Sequence, residues 1–341
     1  MRKGQNPAKL GTLAYQPRNL GVAVLTHAPS QEGYFAESWQ VFCHQLASLR
    51  AHTPEPFDFL VFDNGSCREI QEQLQGLQGK GWIQWLFLSR ENMGKTGALN
   101  AILGAMPNEW ICYADSDVLF RPGWLEASRA IAASFPKAGL VTAQPCFFDI
   151  LRGEGKAHLA LEGNPVYEFG EIGPAQATVE DYCRGIGASP EESVKYKSMR
   201  LRTITDTKAE VRAVLGASHM QFLAKRDVLR SVLPLPAARV LDPAEDREMD
   251  LRIDQQGYLH LSTVEAHVFH MGNAVDERLL EELARLEISP RIAARVDVVV
   301  PEKGVLYRVL SSAAQHPRLR WRLAWLYRTL YEVFSRRRGV P

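Results

Sequence analysis

Residues 110–117 (WICYADSD) decide the fold assignment, because an apolar run leads directly into two carboxylates. The run 110–114 predicts a buried strand, and the polar residues after it predict a loop at the carboxyl end of that strand. Asp115 and Asp117 are two positions apart where the chain leaves the sheet, so both could reach one hard cation. Taken alone, such a pair more often caps a helix or lies in a solvated loop.

The rest of the amino-terminal half alternates between strand and helix patterns. Strands are predicted at 20–25, 57–62, 83–88, 110–114 and 139–143, and helices at 36–49, 70–77, 97–106 and 124–135. This alternation predicts an α/β fold with a mostly parallel sheet flanked by helices. Ligands of such sheets bind beyond the carboxyl ends of the strands, which would place Thr26, Asp63 and Asp115 together.

The second half of the chain has a less regular pattern. Residues 146–213 are rich in Gly, Pro and Glu and predict an irregular, functional insertion. Order is predicted to return at 214–223, followed by a helix at 242–256, a strand at 260–270, and helices at 276–286 and 317–334.

Composition excludes several classes of protein. The formal net charge of +1 gives no strong field for nucleic acid. The five cysteines include no C-x-x-C pair, which argues against a disulfide framework or a zinc site and favours a reducing compartment. Residues 1–15 lack the apolar segment of a secretory signal, and no run reaches the ~18 apolar residues of a membrane span. We therefore expect a cytoplasmic protein.

The predicted helix at 317–334 has two interpretations. From Tyr307 onward the chain has eight arginines and one acidic residue, Glu332. The helix would pack on the catalytic domain or on a second subunit of a homo-oligomer, or it would lie on the inner face of a membrane with Arg and Trp at the headgroups.

Two glycine motifs limit the choice of nucleotide-binding class. The sequence Asn92-x-Gly94-x-x-Gly97-Ala98-x-Asn100 joins the third strand to the next helix. A phosphate loop of the form G-x-x-x-x-G-K-[ST] is absent, and Gly185-Ile186-Gly187 lacks the third glycine of a dinucleotide fingerprint. Dehydrogenases and P-loop enzymes are therefore disfavoured.

A second acidic cluster occurs at 245–253 (EDREMDLRI) and is followed by Gly257-Tyr258 and His270. Acidic residues are favoured in the first turn of any helix. A carboxylate at a helix start that faces a cleft can also act as a general base.

These motifs, in this order and at these separations, resemble the family 2 glycosyltransferases of the GT-A fold over about residues 21–272. The family pattern E-D-x-D-L-x-x-R-L-x-x-x-G-Y corresponds to residues 245–258 without a gap, with Glu248 and Met249 as conservative departures. The Q-x-x-R-W motif of processive synthases is absent, because position 317 is Pro where that motif has Gln. The resemblance therefore implies single sugar addition.

The resemblance also implies a role for each matched residue. The implied contacts to the nucleotide sugar are Thr26, Asp63, Asn64, Arg90, Asn92, Gly94, Asn100, Asp115 and Ser116. The implied ligands of a divalent metal, Mn²⁺ or Mg²⁺, are Asp115, Asp117 and His270. Asp246 would deprotonate the acceptor hydroxyl, and Glu245 or Glu248 could replace it.

The expected organisation follows from these roles. Residues 1–19 would be an amino-terminal extension, 20–144 the nucleotide-sugar-binding half, 145–275 the acceptor-binding and catalytic half, and 276–341 a helical extension. The expected enzyme inverts and adds one sugar from a UDP-, GDP- or dTDP-linked donor to a saccharide, lipid-linked or peptide acceptor. The alternatives are a retaining GT-A transferase, a nucleotidyltransferase and a degenerate GT-A scaffold.

Overall fold

A ten-stranded sheet organises the chain. The computed structural model describes residues 15–147, 156–236 and 244–288, all within one compact unit, with only the backbone described for 244–246. The described strands are β1 (Leu20–Thr26), β2 (Phe57–Asn64), β3 (Trp85–Ser89), β4 (Trp110–Asp115), β5 (Val118–Phe120), β6 (Ala138–Thr142), β7 (Tyr167–Ile172), β8 (Leu201–Asp206), β9 (Val211–Leu215), β10 (Gln221–Lys225), β11 (Leu259–Ser262) and β12 (Val268–His270).

Helices connect these strands. In the described part of the chain they are α1 (Ser38–His52), α2 (Arg68–Gly79), α3 (Gly94–Ala105), α4 (Trp124–Ser134), α5 (Gln176–Gly185), α6 (Pro190–Lys197), α7 (Arg226–Ser231), α8 (Ala244–Gln255) and α9 (Glu277–Arg285). Of the helices described, none is both long and apolar enough to cross a membrane.

The strand order confirms the predicted fold class. The order is β3-β2-β1-β4-β10-β6-β11-β9-β8-β7, and β12 pairs separately with β5. Parallel pairing joins β3, β2, β1 and β4, and it also joins β6 to β11. The other neighbours are antiparallel, so only β10, β9 and β7 run against the remaining seven strands. The sheet is mostly parallel.

Helices cover both faces of the sheet. Leu140 packs in a cluster with Ile102 of α3 and Ile253 of α8. The next residue, Val141, packs instead in a cluster with Ile131 of α4. Successive side chains of a strand point to opposite faces, so these two clusters lie on either side of the sheet.

The prediction of irregular structure at 146–213 was wrong. The described part of this segment contains β7, α5, α6, β8 and part of β9. The six residues of β7 are all half-buried or exposed, which is why their apolar content is too low to predict a strand. Helix α6 begins with Pro190 after a capping box between Ser189 and Glu192, a start pattern that the sequence analysis did not use.

Two further boundaries differ from the predictions. The predicted strand at 260–270 is two strands, β11 and β12, separated by residues 263–267. The predicted helix at 97–106 begins three residues earlier, at Gly94, whose φ of +72° favours glycine. The predicted helix at 317–334 and most of the extension at 1–19 lie outside the described residues.

Candidate active site

Polar residues from three strand ends meet at one edge of the sheet, as the sequence predicts. Thr26 is the register partner of Asp63 across β1 and β2. Leu25 is the partner of Asp115 across β1 and β4. Because these strands are parallel, their carboxyl ends open on the same side, which is the usual place for a ligand.

Asp63 is a buried carboxylate with one oxygen free to accept a further hydrogen bond. Its Oδ2 accepts hydrogen bonds from Gln71 Nε2 at 2.8 Å and from the backbone N–H of Ser66 at 3.2 Å. Its Oδ1 is buried and has no hydrogen-bond partner among the described residues. A buried acceptor without a donor is costly, so a ligand N–H placed there would be stabilised.

Asn64 fixes the loop that leads into α3. Its Nδ2 donates to Asn92 Oδ1 at 3.0 Å and to the Gly94 carbonyl at 3.3 Å. Its Oδ1 accepts from the backbone N–H of Met93 at 2.8 Å. Asn64 and Gly94 are buried, whereas Asn92 is exposed at the loop surface. Their predicted contacts to a nucleotide sugar stay predictions.

Both carboxylate oxygens of Asp115 are already engaged. Tyr113 Oη donates to Oδ1 at 2.6 Å, and Lys95 Nζ donates to Oδ2 at 3.0 Å. Lys95 Nζ also donates to the backbone carbonyl of His219 at 3.0 Å. A metal bound by Asp115 would have to compete with these donors. The predicted metal role of Asp115 remains a prediction.

Lys95 is a site residue that the sequence analysis missed. It is the second residue of α3 and follows Gly94 inside a motif that was already recognised. Its contact with Asp115 places a positive charge at the strand end where anionic phosphates would bind. A lysine between two glycines of that motif was the clue available from the sequence.

Asp117 and His270 come together through the small sheet of β5 and β12. His270 is the register partner of Val118, the residue after Asp117. The backbone N–H of Met271 donates to the Asp117 carbonyl at 2.7 Å. As a result, His270 Nε2 lies 3.2 Å from Asp117 Oδ2. Two residues far apart in the sequence are therefore neighbours in the fold, and their implied role as metal ligands stays a prediction.

The surroundings of the Asp117 carboxylate indicate whether these residues fit a divalent cation. Oδ1 is buried and has no hydrogen-bond partner among the described residues. Burial raises the pKa of the Asp117 carboxyl, although nearby His270 opposes this shift and the charge of Asp115 adds to it. A carboxylate whose charge is disfavoured by burial is stabilised by an added cation, so these residues fit a divalent metal.

The number of protein ligands at this position is small. Across the described ranges, no group of three or more His, Cys, Asp or Glu side chains is arranged to hold a metal ion. Mg²⁺ is usually bound through one or two carboxylates together with substrate phosphates, not by a closed protein cage. Asp117 and His270 match that open arrangement.

Two motif residues hold the segment before α8. Asn100 Nδ2 donates to the Leu235 carbonyl at 2.9 Å, and its Oδ1 accepts from the Leu235 N–H at 2.7 Å. Arg252 donates to the Val232 carbonyl at 2.9 Å and to Glu248 Oε1 at 2.6 Å. The predicted nucleotide contact of Asn100 would require the Leu235 pair to open. The carboxylate of Glu248 is thus already ion-paired with Arg252.

Asp250 is a second residue that the sequence analysis missed. Its Oδ1 lies 2.8 Å from His219 Nε2 and 3.1 Å from His260 Nε2, and both histidines are buried. Burial raises the pKa of Asp250, but the two histidines outweigh it and hold the pKa well below its usual range. Because His219 also accepts a hydrogen bond from Lys95, this cluster connects α8 with Asp115.

The remaining predicted residues are placed as follows. Thr26 is buried, Ser116 is half-buried between the two aspartates, and Arg90 is exposed directly after β3. The side chains of Glu245 and Asp246 lie outside the described residues, although both positions belong to α8. Position 246 is one helical turn before Asp250 and thus on the same face of the helix.

A comparison with protein-family models decides the assignment. Residues 34–190 match the model described as glycosyl transferase family 2. The chain carries a family 2 glycosyltransferase domain. The matched range runs from before α1 to the first residue of α6, and it includes Asp63, Lys95, Asp115 and Asp117. Helix α8 and His270 lie beyond the matched range.

Solved structures give more distant likenesses. S. aureus TarS 1-349 is 17% identical, with 38% of this chain and 36% of that chain covered and a TM-score of 0.30. GalNAc-T7, in a structure with UDP, GalNAc and Mn²⁺, is 14% identical, with coverage of 79% and 47% and a TM-score of 0.47. The chain therefore spans less than half the length of these two proteins. A search of curated proteins gave no match.

Proposed function

We propose that this glycosyltransferase moves one sugar from a nucleoside diphosphate donor to an acceptor hydroxyl, with inversion of the anomeric centre. The observation that carries the proposal is Asp117. Its carboxylate lies just beyond the strand ends and faces His270 at 3.2 Å, and one of its oxygens has no donor among the described residues. That arrangement suits a divalent cation shared with a diphosphate.

The donor would lie along the ends of β1, β2 and β4. In this proposal the free Oδ1 of Asp63 accepts a base N–H, and Thr26, Arg90 and Asn92 line the base and ribose pocket. Asp115, held by Tyr113 and Lys95, faces the ribose. These assignments are supported by the register, which places Asp63 opposite Thr26 on one side of β1 and Asp115 opposite Leu25 on the other side.

The diphosphate would lie next to Asp117, His270 and Lys95. Asp117 and His270 would hold a Mn²⁺ or Mg²⁺ ion, which when bound neutralises the negative charge that develops on the leaving diphosphate. Lys95 adds a positive charge at the same edge, where its Nζ already contacts Asp115. Fixed positive groups aimed at a developing negative charge are a large source of catalysis.

The acceptor would be activated from α8. An acceptor hydroxyl is a poor nucleophile at neutral pH, so a positioned carboxylate must take its proton as it attacks. The acceptor oxygen then forms a bond to the anomeric carbon while the bond to the diphosphate oxygen breaks, which inverts that carbon. We assign the proton to Asp246 rather than Glu248, because Glu248 is ion-paired with Arg252. Glu245 is the remaining alternative.

A screen of UDP-, GDP- and dTDP-linked sugars tests the proposal. We expect nucleoside diphosphate release that needs Mn²⁺ or Mg²⁺ and stops with EDTA. Release of pyrophosphate would indicate a nucleotidyltransferase instead, and a product with retained configuration would rule out the inverting mechanism. Failure to bind any of these nucleotides with Mn²⁺ would indicate a scaffold.

The assignment of Asp246 has its own test. Asp246→Asn should abolish sugar transfer while donor binding, measured by calorimetry with Mn²⁺ present, stays within about twofold of the wild type. Glu245→Gln and Glu248→Gln are the matched variants. If either of these abolishes transfer and Asp246→Asn does not, the base is assigned to the wrong carboxylate.

A further inference from the structure

Helix α5 ends directly against the backbone of His270. Its last residue, Gly185, is buried. A Cβ atom added to Gly185 would lie 2.3 Å from the His270 carbonyl oxygen and 2.7 Å from the His270 Cβ. Non-bonded atoms essentially never lie this close to a Cβ atom. The first contact is with a backbone oxygen, which cannot rotate away as the end of a side chain could. Either α5 or the strand that bears His270 would have to move to admit a methyl group.

Three ion pairs hold α5 in place. Asp181 Oδ2 lies 2.9 Å from Arg121 Nη2, and both side chains are largely buried. Arg121 follows β5, so this pair joins α5 to the same small sheet that contains His270. Asp181 is also paired with Arg278 of α9, and Arg184 is 3.1 Å from Asp276 at the start of that helix.

Apolar contacts hold α5 from its other side. Tyr182 packs on Phe147 with ring centroids 4.5 Å apart, and Val179 and Cys183 belong to the same buried cluster. Densely packed clusters resist displacement, because each shift breaks contacts on the far side. A side chain at position 185 would therefore act mainly on His270.

We propose that Gly185 is a positioning residue for His270: the missing side chain lets β12 lie against α5 at the distance that places the imidazole beside Asp117. This inference rests on the proposed function in one respect, the use of His270 toward a divalent metal. It also gives α5 a role in building the donor side of the site, although α5 belongs to residues 145–275, the half expected to bind the acceptor and carry out catalysis.

Gly187 provides a matched control two residues away. Its φ is +64°, and a Cβ added there would meet no atom within 4 Å. Its N–H donates to the Arg184 carbonyl, as at a left-handed helix end. Gly187→Ala therefore strains the backbone without touching His270. The backbone of Gly185 is helical, so Gly185→Ala is favourable for the helix and unfavourable only for its contact with His270.

Two measurements on the full chain compare the variants. The first is NMR of ¹⁵N-labelled histidine rings in the metal-free protein, with His270 assigned by its loss in His270→Gln. The second is titration with Mn²⁺ alone, followed by electron paramagnetic resonance. We expect Gly185→Ala to shift the His270 ring nitrogens and to weaken Mn²⁺ binding by about tenfold, the usual effect of disturbing a group that orients a metal ligand. Gly187→Ala should lower the melting temperature and leave both quantities unchanged.

Each result has a definite meaning. Unchanged His270 resonances in Gly185→Ala would overturn the proposal, and so would equal losses of Mn²⁺ affinity in the two variants. Gly185→Ser is a second variant with a larger side chain, and its effect on His270 should exceed that of Ala. If the wild type binds no Mn²⁺, the proposed metal use fails, while the ring resonances still test whether Gly185 positions His270.

Discussion

His270 presents Nε2 to the Oδ2 atom of Asp117 at 3.2 Å, and its other ring nitrogen accepts a hydrogen bond from the Gly272 N–H, also at 3.2 Å. With Nδ1 acting as an acceptor, the proton of a neutral imidazole lies on Nε2 and faces the carboxylate. A cation at Asp117 would take the place of this proton. The pair is therefore a polar contact that a metal can replace, whereas Asp115 is held by Tyr113 and Lys95.

The two aspartates of the D-x-D motif should differ in their effect on metal binding. Asp117→Asn should weaken Mn²⁺ binding by about 100-fold or more, because it removes the charge next to the free oxygen. Asp115→Asn should weaken it by less than about tenfold, since its oxygens already bind protein donors. Titration of both variants with Mn²⁺ gives the comparison. Equal losses would mean that Asp115 is also a direct ligand.

We expect the charge of Lys95 to stabilise the nucleoside diphosphate as it leaves the sugar. Lys95→Met keeps the length of the side chain and removes its charge, and we expect kcat/KM for the donor to fall by about 100-fold, as when one donor to a developing anion is lost. Lys95→Arg should retain part of the activity. Steady-state release of nucleoside diphosphate measures both. Activity of Lys95→Met within about twofold of the wild type would show that Lys95 serves only to hold Asp115.

The sequence was sufficient for those parts of the fold that depend on apolar runs. Strands β1, β2 and β4 are buried almost throughout, and hydrophobic periodicity predicted them within two residues. Strand β7 was missed because it is half-exposed along its whole length, so its formation depends on pairing with β8. A pairing partner cannot be inferred from local composition.

The candidate site shows the same division. Asp63, Asp117 and His270 are expected at the site because they fall within motifs with known order and spacing, and their roles stay predictions. The contacts of Asp250 with His219 and His260 were not predicted, since they join α8 to the loop before β10 and to β11, which are far apart in the sequence. Only tertiary packing brings these residues together, and no local pattern marks them.

The Asp250 cluster predicts a stability difference that depends on pH. Because the pKa of Asp250 is lower in the folded chain than its ordinary value of 3.8, the unfolded chain takes up this proton first as the pH falls. The stabilising contribution should be complete above about pH 5 and should be lost as the pH falls below 3.8 towards the folded pKa. Urea unfolding of the wild type and Asp250→Asn between pH 3 and 7 measures it.

We expect Asp250→Asn to lower the free energy of unfolding by about 2 kcal/mol at pH 7, the usual size for hydrogen bonds to a charged group. In a His219→Gln background the loss should be smaller, because one of the two contacts is already absent. The same loss in both backgrounds, or a loss that does not change with pH, would contradict the role given to the histidines.

Tyr113 provides the most conservative test of the donor site. Its hydroxyl donates to Asp115 Oδ1 at 2.6 Å, while its buried ring stacks on Phe222 with centroids 5.2 Å apart. Tyr113→Phe keeps the ring and its packing, so we expect the melting temperature to change by no more than a few degrees. Asp115 then loses one of the two hydrogen bonds that it accepts. If Asp115 binds the ribose, the KM for the nucleotide sugar should rise by roughly tenfold with little change in kcat.

Phe222→Leu is the control, because it disturbs the ring stacking and leaves the Tyr113 hydroxyl in place. A donor KM that rises in Phe222→Leu and not in Tyr113→Phe would mean that packing, and not the hydrogen bond to Asp115, sets donor affinity.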